Sequence, residues 1–267
     1  MEKKIAILGG GNLGIAVAKG LVLAGTTSAK DITITRRNLT KLEELKKEGF
    51  VTTDDNAQAV RQGDIVILCV QPKQLTALLS SIKSELDPAR HILVSTITGI
   101  TTSEISALVG PKVAVVRAMP NTAIAIGKSM TCLCSAHAQP RQVKQIEHLF
   151  ASLGKTLLIE ERLMKAATVL AASGIAFFMR YLRAATQGGI QLGFDAEEAQ
   201  LIAVQTALGA ASLILEHESH PELEIDKVTT PEGCTIAGLN EMEHQGLSSA
   251  LIKGIITSYD KINNIRQ

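Results

Sequence analysis

The stretch IAILGGGNLG, residues 5–14, joins an apolar run of strand length to three spaced glycines. Gly9, Gly11 and Gly14 follow the G-x-G-x-x-G spacing, and the helical pattern LGIAVAKGLVLAG continues directly from them. In this context glycines allow a tight turn and let a pyrophosphate approach bare backbone amides, while the helix start adds partial positive charge. A glycine turn that serves packing alone is the alternative. The predicted phosphate-binding residues are Gly9, Gly11, Asn12, Leu13 and Gly14.

The end of the second predicted strand indicates which dinucleotide binds. An NAD site expects Asp or Glu about 20 residues beyond the glycine loop, where it binds the ribose 2′-hydroxyl. Here the strand DITIT ends at Thr35 and is followed by Arg36 and Arg37. Guanidinium groups suit a 2′-phosphate, so the sequence favours NADPH, with NADH as the second choice. The other interpretation is a solvated turn with two surface arginines.

Short apolar runs alternate with helical patterns through the first half of the chain. Unbroken apolar strands between helices indicate a parallel sheet covered on both faces. We therefore predict an α/β fold, with an N-terminal Rossmann-type doubly wound sheet over residues 1–160. The strand-like runs are KIAIL (4–8), DITIT (31–35), DIVILCV (64–70), HILVST (91–96), KVAVV (112–116) and MTCLCSA (130–136), and helical spacing is clearest at 39–49, 72–86 and 140–154.

From residue 161 to residue 267 the pattern is helical throughout and predicts an all-helical C-terminal domain. Its most apolar stretch, 167–179, is shorter than a membrane span needs and is expected to be buried in protein, without membrane contact. The expected landmarks are a helix end at Gly188–Gly189, a capping box of Asp195 and Glu198, a loop at HPELEI (220–225), and helix starts near Ile236 and Leu247.

Charge and cysteine content argue against several classes of function. A formal net charge of +1 without a dense Lys/Arg run argues against a nucleic-acid surface. Cys132 and Cys134 are close, but no His or Cys pair nearby would complete a zinc set, so no metal site is expected. Buried thiols and the lack of a secretory leader pattern predict a cytoplasmic protein.

Three later segments resemble the characteristic segments of pyrroline-5-carboxylate reductase: VVRAMPNT (115–122), AASGIAFFMRYLRAATQGGIQLGF (171–194) and VTTPEGCTIAGL (228–239). With GGGNLG they span nearly the whole chain in the family's order. The resemblance implies an NAD(P)H-dependent oxidoreductase acting on a CH–NH group, which reduces the C=N bond of 1-pyrroline-5-carboxylate to L-proline in proline biosynthesis. It also implies a helical domain that forms a homodimer, with larger assemblies left open.

In that family the segment 228–239 forms the pocket for the substrate carboxylate. Amides of Gly233, Cys234 and Thr235 at a helix entrance would supply donors, and the helix dipole favours the anion. The resemblance makes Thr235 the catalytic candidate, because its hydroxyl can bond to the ring nitrogen or the carboxylate. Thr230 completes the expected substrate site; its alternative role is to cap the helix, with Pro231 at the first helical position.

Further residues match family positions beside the cofactor. Asn56 corresponds to the asparagine near the adenosine ribose, Val70 and Pro72 to the loop beside the cofactor, and Asn121 and Thr122 to positions bordering the nicotinamide. Asn and Pro are also common in turns, so a purely structural role is the alternative for each.

The chain also departs from the family's pattern. Glu232 replaces the first glycine of Pro-Gly-Gly, where an inward carboxylate would repel the substrate and an outward one would stabilise the helix start. The remaining departures are Ala123 and Ile175, each in place of a proline, Lys165 in place of the usual Asp, and Lys227 in place of Gln or Asn.

These departures leave alternatives open. The chain could reduce a related cyclic imine, or it could be a non-catalytic NADPH-binding sensor of the same fold. A β-hydroxyacid dehydrogenase would need a Lys followed one helical turn later by Asn. Lys165 is followed by Val169 at that spacing, so the pair is missing.

Overall fold

The computed structural model describes residues 3–263, which divide into two compact units. The first unit runs to Ser173 and includes the described residues from Ser258 onward, and the second covers Gly174–Thr257. The predicted boundary between a domain of residues 1–160 and one of residues 161–267 lies just after β8, which ends at Leu158, and stays a prediction.

Eight strands form one sheet in the first unit. They are β1 (Ile5–Leu8), β2 (Ile32–Thr35), β3 (Val51–Thr53), β4 (Ile65–Leu68), β5 (Ile92–Ser95), β6 (Ala114–Met119), β7 (Ser129–Cys134) and β8 (Gly154–Leu158). The order is β3-β2-β1-β4-β5-β6-β7-β8, with β1 to β6 parallel, β7 antiparallel to β6, and β8 parallel to β7. The order reverses between β1 and β4, where open α/β sheets bind ligands at the carboxyl ends of their strands.

Helices cover both faces of this sheet. They are α1 (Asn12–Leu23), α2 (Glu43–Lys47), α3 (Asn56–Gln62), α4 (Leu75–Ile82), α5 (Thr102–Val109), α6 (Pro140–Ala151) and α7 (Met164–Ala167), the last followed by a π-helical turn, Thr168–Ser173. Ile5 and Ile7 of β1 pack in one buried cluster with residues of α1 and α6, and Ala6 and Leu8 pack in the other with residues of α3, α4 and α5. Because successive side chains of a strand point to opposite faces, every β1 residue is buried.

The second unit is helical. Its elements are α8 (Gly174–Gln191), α9 (Ala196–His217), α10 (Pro221–Val228), α11 (Cys234–His244) and the first part of α12 (Leu247–Asn263). Asp195 caps α9, since its Oδ1 accepts from the amides of Glu197 and Glu198 at 3.1 and 3.0 Å. Helix α8 ends just beyond the Gly188–Gly189 pair.

Several elements lack a clear sequence signal. β3, β8, α3, α5 and α10 are not predicted by the patterns, and the prediction that HPELEI is a loop is wrong. Those residues lie in and just before α10, where His220 accepts from the Glu222 amide at 3.3 Å and Pro221 takes the first helical position. Proline at that position removes only an amide that a helix start leaves unpaired anyway. β3 has only three residues, of which Val51 alone is apolar, and Leu157 and Leu158 of β8 are exposed. Neither strand therefore has the apolar run by which a buried strand is recognised in a sequence.

The stretch 167–179 differs from its prediction. Leu170, Phe178 and Met179 are 69%, 73% and 59% exposed in the single chain, so the expected burial is not met within it. By length and composition alone, Glu161–Gln191 and Ala196–His217 are helical stretches apolar enough to cross a membrane. A large apolar surface on these helices therefore needs a cover that the single chain does not supply.

His91 is a buried histidine held in its neutral form. Its Nδ1 accepts from the Asp87 amide at 2.8 Å, so Nε2 carries the proton and donates to the Val60 carbonyl at 3.2 Å. Burial lowers the pKa of His91 below its ordinary 6.5, and the bond to Val60 only partly opposes this.

Stability should therefore depend on pH through His91. A lowered folded-state pKa contributes stability that is full above 6.5 and is lost as the pH falls below that value, because the unfolded chain then binds the proton more readily. We expect His91→Asn, which cannot titrate, to flatten the pH dependence of the free energy of unfolding measured by urea denaturation. The exposed His137→Asn is the control; an unchanged slope in His91→Asn would contradict the assignment.

Candidate active site

The glycine loop after β1 is shaped by two glycines and left open by a third. Gly9 has φ 117°, and an added methyl there would overlap the Cys69 carbonyl. A methyl at Gly14 would overlap the Gly9 carbonyl, so α1 can approach β1 only without one. At Gly11, by contrast, an added methyl would meet no described atom within 4 Å. The protein's own packing does not require glycine at 11, which leaves bare backbone for a ligand to approach.

Unpaired amides lie beside that opening. The first helical bond of α1 runs from the Ile15 amide to the Gly11 carbonyl at 2.9 Å. Asn12, Leu13 and Gly14 precede it, and their amides have no acceptor within residues 3–263. No acidic side chain occupies the first turn. The predicted phosphate-binding residues are thus together, at the positive end of a 12-residue helix.

The end of β2 adjoins the same loop. The Gly10 amide donates to the Thr35 carbonyl at 2.7 Å, and Arg36 Nη1 donates to the Gly10 carbonyl at 2.5 Å. Thr35 Oγ1 donates to Asn56 Oδ1 at 2.6 Å, which brings the start of α3 alongside. Arg36 is half-buried and ordered by the glycine loop, whereas Arg37 is exposed. Gly10 and Thr35 are contacts of this site that the sequence analysis did not single out.

The loop after β4 borders the glycine loop from the other side. The Cys69 amide donates to the Leu8 carbonyl at 2.8 Å, and Val70 lies against Gly9, since a methyl added there would meet its Cγ1 at 3.1 Å. Pro72 opens a short 3-10 helix, Pro72–Gln74. The structure therefore brings Val70 against Gly9, with Pro72 two residues beyond, and the predicted role of both residues beside the cofactor stays a prediction.

Asn121 and Thr122 follow β6. The Asn121 side chain makes two hydrogen bonds within the protein: Oδ1 accepts from the Ala123 amide at 3.0 Å and Nδ2 donates to the Ala171 carbonyl at 3.1 Å. Thr122 is exposed at the start of a 3-10 helix, Thr122–Ile126. The structure therefore gives Asn121 two protein partners and leaves only Thr122 with a free side chain.

The segment before α11 forms a tight turn. The Gly233 amide donates to the Thr230 carbonyl at 2.9 Å, with Pro231 second and Glu232 third at φ 59°. This is the pattern of a type II turn. The helix cap is Gly233, so the alternative in which Thr230 caps the helix and Pro231 opens it is wrong.

The turn decides which amides of this segment stay available. Gly233 uses its amide in the turn, while those of Cys234, Thr235 and Ile236 have no acceptor in the described part of the chain. Ile236 thus replaces Gly233 among the candidate backbone donors. Both Cys234 and Thr235 are exposed. A helix start with three open amides suits a carboxylate.

Side chains offer little other chemistry near these loops. No group of three or more His, Cys, Asp or Glu side chains within residues 3–263 could hold a metal ion. Burial raises the pKa of Cys69 to about 11, so that thiol stays protonated at neutral pH. The two clusters of open amides can each bind an anion.

Comparison with known proteins assigns the chain to a family. Residues 161–265 match a family model described as pyrroline-5-carboxylate reductase dimerisation, and residues 4–99 match one described as NADP oxidoreductase, coenzyme F420-dependent. Pyrroline-5-carboxylate reductase 2 of Dictyostelium discoideum is 46% identical over 276 residues, which cover 97% of this chain and 92% of that protein. The chain belongs to the pyrroline-5-carboxylate reductase family.

Other members of the pyrroline-5-carboxylate reductase family are similar to this chain in sequence or in fold. Pyrroline-5-carboxylate reductase 1 of Dictyostelium discoideum is 49% identical, but the match covers 97% of this chain and 49% of that protein, so this chain spans about half its length. The crystal structure of the Plasmodium falciparum pyrroline carboxylate reductase with NADP bound has a TM-score of 0.91 at 22% identity, over 100% of both chains, and so shares the fold. The predicted fold class and the resemblance are confirmed.

Glu232 departs from the pyrroline-5-carboxylate reductase pattern where the backbone favours glycine. A non-glycine residue in the left-handed region costs roughly 1–2 kcal/mol, and the family's usual glycine avoids that cost. Glu232 and Glu218 are the non-glycine residues with positive φ in residues 3–263. The side chain of Glu232 is exposed, so solvent can screen its charge next to the open amides.

The ordered Arg36 generates a prediction about nucleotide choice. We expect Arg36→Ala to weaken NADP⁺ binding by roughly tenfold, the loss of about one charge-assisted hydrogen bond, and NAD⁺ binding much less. Arg37→Ala should have a smaller effect, because an exposed arginine must lose side-chain freedom on binding. Calorimetric titration with both nucleotides measures this; equal losses for NADP⁺ and NAD⁺ in Arg36→Ala would show that Arg36 does not bind the 2′-phosphate.

Proposed function

We propose that the chain is a pyrroline-5-carboxylate reductase that uses NADPH, or less readily NADH, to reduce the C=N bond of 1-pyrroline-5-carboxylate to L-proline. The observation that carries this proposal is a pair of helix starts with open amides, one after Gly11 and one after Gly233. A dinucleotide has a pyrophosphate and the substrate has a carboxylate. Each helix start matches one of these anions.

The residues around the first helix start fit a phosphorylated dinucleotide. The gap left at Gly11 admits a pyrophosphate to the amides of Asn12, Leu13 and Gly14, and Arg36 supplies positive charge at the end of β2. When bound, NADPH supplies a hydride to the substrate carbon. The chain's part is to bind and orient, with Val70 on the opposite side of the glycine loop.

The second helix start fits the substrate. Amides of Cys234, Thr235 and Ile236 would bind the carboxylate. Thr235 is the second residue of α11, and we expect its hydroxyl to bond to the ring nitrogen or the carboxylate. A protonated imine accepts hydride readily, so the reaction needs no strong base or nucleophile. Positioning and exclusion of water then account for most of the rate enhancement.

A steady-state assay tests the reductase against the sensor alternative. We expect Thr235→Ala to lower kcat/KM for pyrroline-5-carboxylate by roughly tenfold or more, because a hydrogen bond to the reacting molecule is lost. The Kd for NADPH should stay nearly unchanged, and Thr235→Ser should retain most activity. Cofactor binding by the wild-type chain without turnover of this imine would favour the sensor or a related cyclic imine as substrate.

We further propose that the chain works as a cytoplasmic homodimer held by its helical region, with larger assemblies built from dimers. Leu201, Leu208 and Leu215 lie seven residues apart along α9 and are 70%, 59% and 73% exposed. That spacing forms one apolar stripe on a helix. A second copy supplies a matching stripe, and the family model over residues 161–265 is described as one of dimerisation.

The four free cysteines suit a reducing compartment, which supports the proposed cytoplasmic location.

The dimer proposal predicts that one charge in the stripe prevents association. We expect Leu208→Asp to shift the chain to monomer at micromolar concentration, since a desolvated carboxylate costs several kcal/mol. Light scattering coupled to size exclusion measures the mass. Leu23→Asp, on the 72% exposed Leu23 of α1, is the matched control and should leave the mass unchanged. A wild-type monomer, or association only with detergent, would contradict the proposal.

A further inference from the structure

The segment that connects β8 to α8 is held on the sheet by apolar packing and by hydrogen bonds. Met164 in this segment is fully buried against Met119, Cys132 and Cys134 of β6 and β7. The segment ends in the π-helical turn Thr168–Ser173, after which the first compact unit gives way to the second. Single π turns inside helices are often found at functional sites.

Glu161 fastens the start of this segment. Its Oε1 accepts from the Thr102 amide at 2.7 Å and from Arg117 Nη1 at 3.0 Å, and its Oε2 accepts from Thr102 Oγ1 at 2.7 Å. Arg117 lies in β6 with a side chain only 5% exposed. The carboxylate thus closes the first turn of α5 and balances a buried guanidinium.

Asn121 fastens the end of the same segment. Its Nδ2 donates to the Ala171 carbonyl, inside the π turn, at 3.1 Å. Its Oδ1 accepts from the Ala123 amide at 3.0 Å, a donor that proline at position 123 would lack. The two partners fix which end of the amide is oxygen, because one offers a proton and the other accepts one. This chain therefore locks the Asn121 side chain in a way that its departure at Ala123 makes possible.

The loop held by Asn121 lies against the dinucleotide-binding helix. A methyl added at Gly20 of α1 would meet the Ile124 carbonyl oxygen of the helix Thr122–Ile126 at 2.5 Å. β6 is parallel to β1 in the sheet, so both end at the edge that carries the glycine loop. The segment from Asn121 to Ile124 thus contacts the π turn through Asn121 and α1 through Ile124.

We infer that Asn121 is a positioning residue for the proposed reduction: its amide ties the loop after β6 to the π turn at Ala171 and so fixes that loop beside the bound nucleotide. The inference rests on the proposed function. We assign Asn121 this indirect role because its Oδ1 and one N–H of its Nδ2 are already held by protein partners. Glu161 supports the arrangement by holding the other end of the connecting segment on β6.

Asn121→Asp tests the hydrogen bond between Asn121 Nδ2 and the Ala171 carbonyl with a nearly isosteric change. The carboxylate keeps the acceptor for Ala123 but places an oxygen opposite the Ala171 carbonyl. We expect kcat to fall by about tenfold, because a small displacement of a reacting group has such an effect, with the Kd for NADPH within about threefold of wild type. Hydrogen exchange of amides 168–173 should become faster in the same variant.

Three further variants, Ala123→Pro, Glu161→Gln and Glu160→Gln, are compared with Asn121→Asp. Ala123→Pro removes only the capping bond and should spare the exchange protection of 168–173; equal loss of kcat and of that protection in both variants would overturn the inference. Glu161→Gln should also speed exchange in the connecting segment, whereas Glu160→Gln, in the exposed pair with Arg162, should not.

Failure of the inference is distinguishable from failure of the proposed function. If the wild-type chain binds NADPH but does not reduce pyrroline-5-carboxylate, the proposed function alone is refuted. Hydrogen exchange of amides 168–173 in Asn121→Asp then still shows whether Asn121 holds the π turn. An active wild type with unchanged kcat in Asn121→Asp, or unchanged protection of 168–173 in that variant and in Glu161→Gln, overturns the inference.

Discussion

The close approach of α1 to β1 is the contact on which the first site depends. It exists because Gly14 has no side chain where the Gly9 carbonyl passes. A residue with a side chain there would push the helix start away from the sheet edge. The amides of the first turn would then no longer meet the opening at Gly11. Helix dipole, open amides and Arg36 act together only while this contact holds.

Both candidate anion sites have backbone amides as their main donors, and Arg36 adds a charged side chain at the first. This choice suits a reaction in which the substrate itself carries the reactive group and the reductant is a bound cofactor. Backbone donors at a helix start are fixed in direction and need no titration to act. Two of the chain's departures from its family fall around such elements. Ala123 adds a bond within a loop, and Glu232 accepts a backbone conformation that glycine would adopt freely.

Sequence patterns predict those parts of the fold that follow from local periodicity. The glycine loop, the central strands and the helical second half are all recognisable, because full burial of parallel strands leaves unbroken apolar runs. The edge strands β3 and β8 lack that signal, since edges are only partly covered. The bond from Asn121 to the Ala171 carbonyl joins residues that are 50 positions apart, so no local motif predicts it. The turn that uses the Gly233 amide is local, but Thr230 and Pro231 also fit the pattern of a helix start. Resemblance could point to these segments but not to which atoms stay free.

The second unit has scarcely any interior of its own. Among its described residues only Gly174 and Ala199 are buried, although its helices carry many apolar side chains. Helices that bury so little cannot offset the entropy lost on ordering their chain. In the proposed dimer, folding of this half is therefore coupled to the association of two chains, and its stability rises with the concentration of the protein.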